Sequence, residues 1–376
     1  KTAIDSAPAD IGLMGKSDRA LAIWVKPRLV VDVYYQGIGS MGLLRQPAFK
    51  ALREDKSPGD VLAEASLSPS PKPAPAGSRR SRTRAEGRMG NSEVSITHPQ
   101  RIVFPALKAT KQDVADYYHN VARWILPQIG SRPLSVVRCP QGIGSACFFQ
   151  KHAVRGSGEH VHAATIREKE GRGEYLCIDD EQGLLELVQM NVLEFHPWGA
   201  RAGDPEHADR IVFDLDPHAS VAWTRVKAAA RTLRAQLESI GLQAFLRTTG
   251  GKGLHVVVPL DPPAPWAEVR DFAKGVAEAM AALEPDEFVS VAGEKNRKGR
   301  IYIDWLRNGR GATSVAAYSL RARETAGVAM PLAWASLGRL KAADAYTLAN
   351  AVRAIRRRKT DPWEGIARVR QSLPVL

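Results

Sequence analysis

Arg210-Ile-Val-Phe-Asp-Leu-Asp-Pro217 is the stretch on which the reading of this chain turns. Ile211, Val212 and Phe213 make the short apolar run of a buried strand, and Pro217 ends it because proline cannot continue a ladder. Asp214 and Asp216 lie two apart, so the strand pleat sends both carboxylates to one face. Like charges side by side repel unless they share a cation. Hard divalent ions such as Mg²⁺ or Mn²⁺ take carboxylate oxygen at such sites. The pair alone admits two readings, a metal site or a solvated strand end. A second apolar strand, Ile301-Tyr-Ile-Asp-Trp305, carries a further acid, Asp304. Three strand carboxylates on a strongly basic chain favour two-metal phosphoryl transfer on nucleic acid.

The chain has 376 residues, 44% apolar and 25% charged, an ordinary globular balance with room for a sizeable core. A net charge of +13 suits a polyanionic partner, although a membrane surface or plain solubility also fits it. No apolar run approaches the ~18 residues of a membrane span, and the start carries no secretory signal. With Lys1 in place of Met, the chain reads as a piece of a longer protein. Three cysteines, Cys139, Cys147 and Cys177, are few and odd in number, which fits a reducing cytosol. Zinc on Cys139 and Cys147 with His152, His160 or His162 is disfavoured because no pair has finger spacing.

Residues 66–92 alternate Pro69, Pro71, Pro73 and Pro75 with small and polar residues, and five arginines follow. Low hydrophobicity and high charge prevent a packed core, so this segment is expected to be a flexible tether. Before it, residues 1–65 hold short strands (Ala22–Val25 and Leu29–Tyr34), a module too small to be an enzyme alone. After it, 93–376 is mixed. Helices are expected over Lys111–Leu126, with Val114, Tyr117, Tyr118, Val121 and Ile125 on the apolar face, over Ala222–Ile240 ended by Gly241, and over Trp266–Leu283. A C-terminal helix is expected from about Ala342 to the basic run ending at Lys359. Gln243–Arg247 and His255–Pro259 read as strands on either side of Thr248-Thr-Gly-Gly-Lys-Gly253.

That glycine turn lets backbone N–H groups approach an anion, with Lys252 adding charge and Thr249 and His255 flanking it. It lacks Walker A spacing, and a tight hairpin is the competing reading. Arg307 and Arg321 are cations close in sequence to the acids, suited to a triphosphate or to surface ion pairs. His196, in Glu194-Phe-His-Pro-Trp-Gly199, is either a satisfied polar group or a pocket wall that touches a sugar hydroxyl. Phe148 and Phe149, followed by Lys151 and His152, are placed to stack on a base, with at least one of the two expected to pack inward.

Taken together, Phe213–Pro217, Thr249–His255, Glu194–Ala200 and Ile303–Asn308 resemble the polymerase domain of bacterial ATP-dependent DNA ligase D, of the archaeo-eukaryotic primase superfamily. Thr97–Arg101, Thr110–Asp113, Arg132–Ser135 and Phe148–His152 extend the resemblance over about 93–376. Val25–Val33 and Leu44–Lys56 look like the end of a ligase OB-fold domain. The Lys-x-Asp-Gly adenylation motif is missing, so no ligase activity is expected of this chain.

The resemblance implies an α+β primase-polymerase fold, an antiparallel sheet core flanked by helices, with a small N-terminal β module left from the OB fold. It implies that Asp214, Asp216 and Asp304 hold two divalent metal ions, Mn²⁺ or Mg²⁺, and that His196, Thr249, Lys252, His255, Arg307 and Arg321 bind nucleotide. Lys111, helped by Arg101, would receive the 5′-phosphate across a gap, and Phe148 and Phe149 would stack near the template there. Lys295, Arg297 and Lys298 match a loop that holds two DNA ends together. The expected activity is template-directed addition of NTPs, ribonucleotides preferred, to DNA 3′ ends during non-homologous end joining. Expected partners are DNA ends with 3′ overhangs or gaps bearing a 5′-phosphate, NTPs, the Ku end-binding protein and a ligase domain, in the cytoplasm at the bacterial nucleoid and away from membrane. The rivals are a primase acting without a primer, and a catalytically silent DNA-end scaffold.

Overall fold

A computed structural model of the chain describes residues 30–34, 48–53, 94–153, 156–168 and 171–374. It divides into two units, Lys1–Arg82 and Thr83–Leu376, and the division falls inside the segment read as a tether. The expected strand Ala22–Val25 and the whole of 66–92 lie outside the described residues. In the first unit, β1 (Val30–Tyr34) pairs antiparallel with β2 (Ala48–Arg53).

The second unit opens with the short pair β3 (Ile102–Phe104) and β4 (Ala109–Thr110). Helix α1 (Lys111–Ile129) follows, started by a capping box in which Thr110 Oγ1 accepts from Asp113 N–H while the Asp113 carboxylate accepts from Thr110 N–H. Its five expected apolar positions are all buried. The next strands are β5 (Leu134–Arg138), β6 (Phe148–Gln150), β7 (His162–Glu168) and β8 (Gly171–Cys177). Helix α2 (Glu181–Gln189) and β9 (Val192–Pro197) complete this half, whose sheet runs β6-β5-β8-β7 with β9 also paired to β5.

The other half carries β10 (His207–Pro217), α3 (Trp223–Ser239), β11 (Phe245–Thr248), β12 (Leu254–Pro265), α4 (Trp266–Leu283), β13 (Phe288–Val289), β14 (Ile301–Asp304) and β15 (Pro331–Leu332). Their order is β13-β14-β10-β12-β11-β15, antiparallel throughout except for the parallel β13–β14 pair. The expected α+β class with an antiparallel core is therefore what forms. Helices α3 and α4 pack on β10 and β12. Ile211, Phe213 and Leu215 alternate with the acids and are fully buried, which fixes the register that exposes Asp214 and Asp216 on the opposite face. Shortening Phe213 to alanine would cost about 3–5 kcal/mol and loosen that register.

Three expectations are corrected. The C-terminal helix is only α5 (Ala351–Arg356), because residues 346–348 pair with the backbone of 326–328: Val328 N–H donates to Tyr346 O and Leu348 N–H to Ala326 O. Cys139 and Cys147 are joined in a disulfide at the root of the β5–β6 hairpin, against the reduced thiols expected from their number. Cys177 is the free thiol, buried, with burial pushing its pKa up to about 12. Phe148 and Phe149 are both exposed, so neither packs inward.

Candidate active site

Ladder pairing builds the centre of the site. Asp214 stands directly opposite Asp304 on β14 and, on its other side, opposite His255 on β12, which in turn faces Arg247 on β11. Asp304, Asp214, His255 and Arg247 thus form one row across four adjacent strands, and Asp216 lies one pleat along from Asp214. His255 Nε2 is 3.3 Å from Asp214 Oδ1, while its Nδ1 receives Arg247 Nε and Nη2 at 3.1 and 2.9 Å. A guanidinium can only donate, so Nδ1 is the acceptor and Nε2 carries the proton that faces Asp214. Burial lowers the His255 pKa to about 4, so the ring is neutral near pH 7.

Two arginines cap the acids. Arg307 Nε lies 3.0 Å from Asp304 and its Nη2 3.6 Å from Asp214, and Arg297 bonds Asp216. Burial works against the Asp214 carboxylate, but His255 and Arg307 outweigh it and its pKa is lowered. For Asp304 the balance tips the other way: burial raises its pKa, Arg307 pulls it back, and Asp214 opposite adds to the rise. Asp214 is thus stabilised as a carboxylate, whereas the buried Asp304 is not. Asn308 holds the strands in place, since its side-chain amide pairs with both backbone groups of Val212 just beyond the end of β14.

A cavity of about 450 Å³ opens over the Asp214–His255 part of this row, and His196, Thr249, Lys252, His255, Arg307 and Arg321 all line it, with Asp214, Asp216 and Phe149. The six residues read as nucleotide-binding are therefore brought together. Glu194, which sequence reasoning left unassigned, organises two of them. It is buried and accepts from His196 Nε2 at 2.8 Å, from Arg321 Nε at 2.9 Å and from Ala322 N–H at 2.7 Å. Arg321 also donates to Thr249 O at 2.8 Å, which ties it to the glycine turn. Thr249 Oγ1 accepts from Gly251 and Gly253 N–H, so its hydroxyl shapes the turn before it can serve any ligand. Glycine is required at 253, where a Cβ would sit 2.1 Å from Leu215 O. Glycine also serves at 250, whose φ is +66°. Both Glu194 and Arg247 had one signal in the sequence: a lone charge inside an apolar strand (Leu193-Glu-Phe195 and Phe245-Leu-Arg247).

The residues expected at the DNA end are rearranged. Lys111 is almost fully buried, and its Nζ spends its three donors on Thr97 O, Gln189 O and Gln189 Oε1 at 3.2, 2.7 and 2.8 Å. It is thus no open phosphate receptor: a phosphate would have to displace one of these bonds. Arg101 lies close enough to depress the Lys111 pKa further after burial, is only partly buried, and donates to Pro140 O at 2.8 Å. The Phe149 ring meets the His196 ring edge-on at 5.5 Å, which puts it at the mouth of the cavity. Lys295 and Lys298 are exposed on their loop, but Arg297 turns inward onto Asp216 and does not point outward to a second DNA end.

Three carboxylates are the donor set of a hard divalent ion. Among the described residues no three metal-binding side chains converge on a single point; Arg307 bridges Asp214 and Asp304, and Arg297 holds Asp216. The carboxylate chemistry of Asp214, Asp216 and Asp304 on neighbouring strands nevertheless fits these residues to a cation.

An antiparallel sheet with facing acids beneath a basic, nucleotide-sized cavity defines a protein of the primase-polymerase class. A model of the family described as LigD, primase-polymerase domain, matches residues 110–363, and one described as ATP dependent DNA ligase C terminal region matches residues 4–56. The chain belongs to the LigD primase-polymerase family. It is 38% identical over 351 residues to the multifunctional non-homologous end joining protein LigD of Pseudomonas aeruginosa, covering 93% of this chain and 41% of that protein. It is 34% identical over 259 residues to LigD of Mycobacterium tuberculosis, covering 67% of this chain and 34% of that protein. The chain thus spans well under half the length of these relatives. Among solved structures, the polymerase domain of Mycobacterium tuberculosis Ligase D in complex with DNA aligns with a TM-score of 0.69 and 32% identity, over 73% of this chain and 98% of that one. Polymerase domains of this family depend on metal.

Proposed function

We propose that this chain is a template-directed nucleotidyltransferase that adds nucleotides, ribonucleotides in preference, to DNA 3′ ends and fills gaps during non-homologous end joining. The observation that carries the reading is that Asp214 and Asp216 line a cavity walled by cations, with Asp304 facing Asp214 across the ladder. In the reaction the 3′ oxygen of the primer attacks the α-phosphorus of the incoming nucleotide, and pyrophosphate leaves. Two divalent ions, Mn²⁺ or Mg²⁺, held by Asp214, Asp216 and Asp304 would supply the Lewis acidity for the attacking and leaving oxygens.

The chain's own groups do the rest. Arg321, Lys252 and Arg307 give the triphosphate its counter-charge along the cavity wall. Neutral His255 fixes Asp214 through its Nε2 proton, and Arg247 fixes the tautomer from behind. His196 spends Nε2 on Glu194, so its Nδ1 is left as an acceptor suited to a sugar hydroxyl. Arg101, with Lys111 behind it, offers charge to a 5′-phosphate, and Phe149 and Phe148 offer exposed rings to the template. Ku, the ligase domain of a longer parent protein and the nucleoid as its place of work belong to this same reading. The test is single-nucleotide incorporation with Mn²⁺ on primed, gapped DNA and on unprimed template. Extension of the primed substrate alone supports the reading; equal product without a primer would make the chain a primase, and no product on either would make it a scaffold.

A further inference from the structure

A second cavity, of about 750 Å³, shares no lining residue with the one above the acids. It lies between the C-terminal part of α1, the start of β10 and the chain segment 359–370. Its volume is that of a small-molecule site. Its wall is built around a single acid. Asp209 takes Arg132 in a bidentate pair at 2.7 and 2.5 Å, and Arg201 Nε and Arg210 Nε approach the same carboxylate at 3.3 and 3.5 Å. Three guanidinium groups thus share one negative charge.

The rest of the lining does not restore the balance. Asp261 is matched by Arg370, and Asp361 is taken up by Tyr318 Oη and Trp363 N–H. Glu364 is exposed, while Arg123 and Lys359, also on the wall, have no acidic partner among the described residues. Six cations against four acids leave a net +2. Arg132 is fully buried and its Nε has no hydrogen-bond partner. Burial, with Arg210 beside it, lowers the Arg132 pKa to about 9, so the surplus charge is held at a cost. An anion with several oxygens relieves that cost, and guanidinium forks match phosphate.

We propose that this cavity is a second anion site, taking a phosphate-bearing ligand on Arg201, Arg210 and Arg123 against the fixed Arg132–Asp209 wall. The phosphate comes either from a free nucleotide or pyrophosphate, or from a nucleic-acid strand passing over the cavity mouth. The test titrates the full chain, in excess chelator, with pyrophosphate and separately with a short single-stranded DNA lacking a 5′-phosphate, read by calorimetry. The double variant Arg123→Glu/Arg201→Glu changes two exposed side chains and is compared with Lys359→Glu, with thermal melting to confirm folding. The expected result is one fewer pyrophosphate per folded chain in the double variant, with affinity at that site at least tenfold weaker in Lys359→Glu. Loss confined to the oligonucleotide arm identifies the source as nucleic-acid phosphate; loss with pyrophosphate identifies a compact phosphate ligand. Equal stoichiometry and affinity for both probes in wild type and both variants overturns the proposal.

Discussion

Replacing Glu194 by glutamine keeps the shape of the side chain and removes the charge on which His196 and Arg321 converge. Burial works against this carboxylate, yet the His196 ring N–H, the Arg321 guanidinium and the Ala322 N–H outweigh it and hold its pKa at about 2, below the usual 4.5. A depression of that size corresponds to about 3 kcal/mol of stability, present above the ordinary carboxylate pKa and lost as the pH falls through about 2. Glu194→Gln should therefore lower the unfolding free energy by about 3 kcal/mol at pH 7, and the difference from wild type should shrink as the pH approaches 2. Urea denaturation at pH 7 and pH 3 reads this directly. Single-nucleotide incorporation in the same samples should show a higher KM for the nucleotide, since Arg321 loses its anchor. An unchanged urea midpoint at pH 7, with unchanged KM, would refute the view that this buried carboxylate organises the nucleotide wall.

Lys111 gives a second pH signature: burial and then Arg101 lower its pKa to about 8, so the cost of its buried charge is full below pH 8 and relieved as the pH rises to about 10.5. Relative to Lys111→Met, wild type should gain stability across that window, measured by urea denaturation at pH 7.5 and 10, and no gain would count against a buried, charged Lys111. On gapped DNA, Arg101→Ala should erase the affinity difference between a 5′-phosphate and a 5′-hydroxyl, and equal losses on both substrates would count against it. His196→Ala should reduce the ratio of UTP to dUTP incorporation by roughly 5- to 150-fold, the value of an unpaired polar contact of about 1–3 kcal/mol. An unchanged ratio would assign His196 to the scaffold.

What the sequence made legible was governed by local rules. The two-residue spacing of Asp214 and Asp216 placed both on one sheet face and the apolar run before Asp304 put a third acid on a strand, while apolar patterning placed a helix over 111–126, which extends to 129, and one over 266–283. Contacts made across long separations were not legible. Glu194 acquires its role from Arg321, 127 residues away, and Arg247 from its register with His255. Arg297 read as an outward loop cation because nothing local tells a loop side chain which carboxylate it will meet. The C-terminal helix was over-extended for the same reason, since backbone pairing of 346–348 with 326–328 outweighs the helical propensity of that segment.

The central claim is that the acids facing one another on β10 and β14 carry nucleotide addition. Its most direct test measures single-nucleotide extension of primed, gapped DNA with Mn²⁺, alongside DNA affinity, for wild type, Asp216→Ala and Asp304→Asn. The account predicts at least a ~10³-fold loss of extension in each variant, with DNA affinity within about threefold of wild type because binding rests on distributed cations. Extension at the wild-type rate in either variant would contradict it.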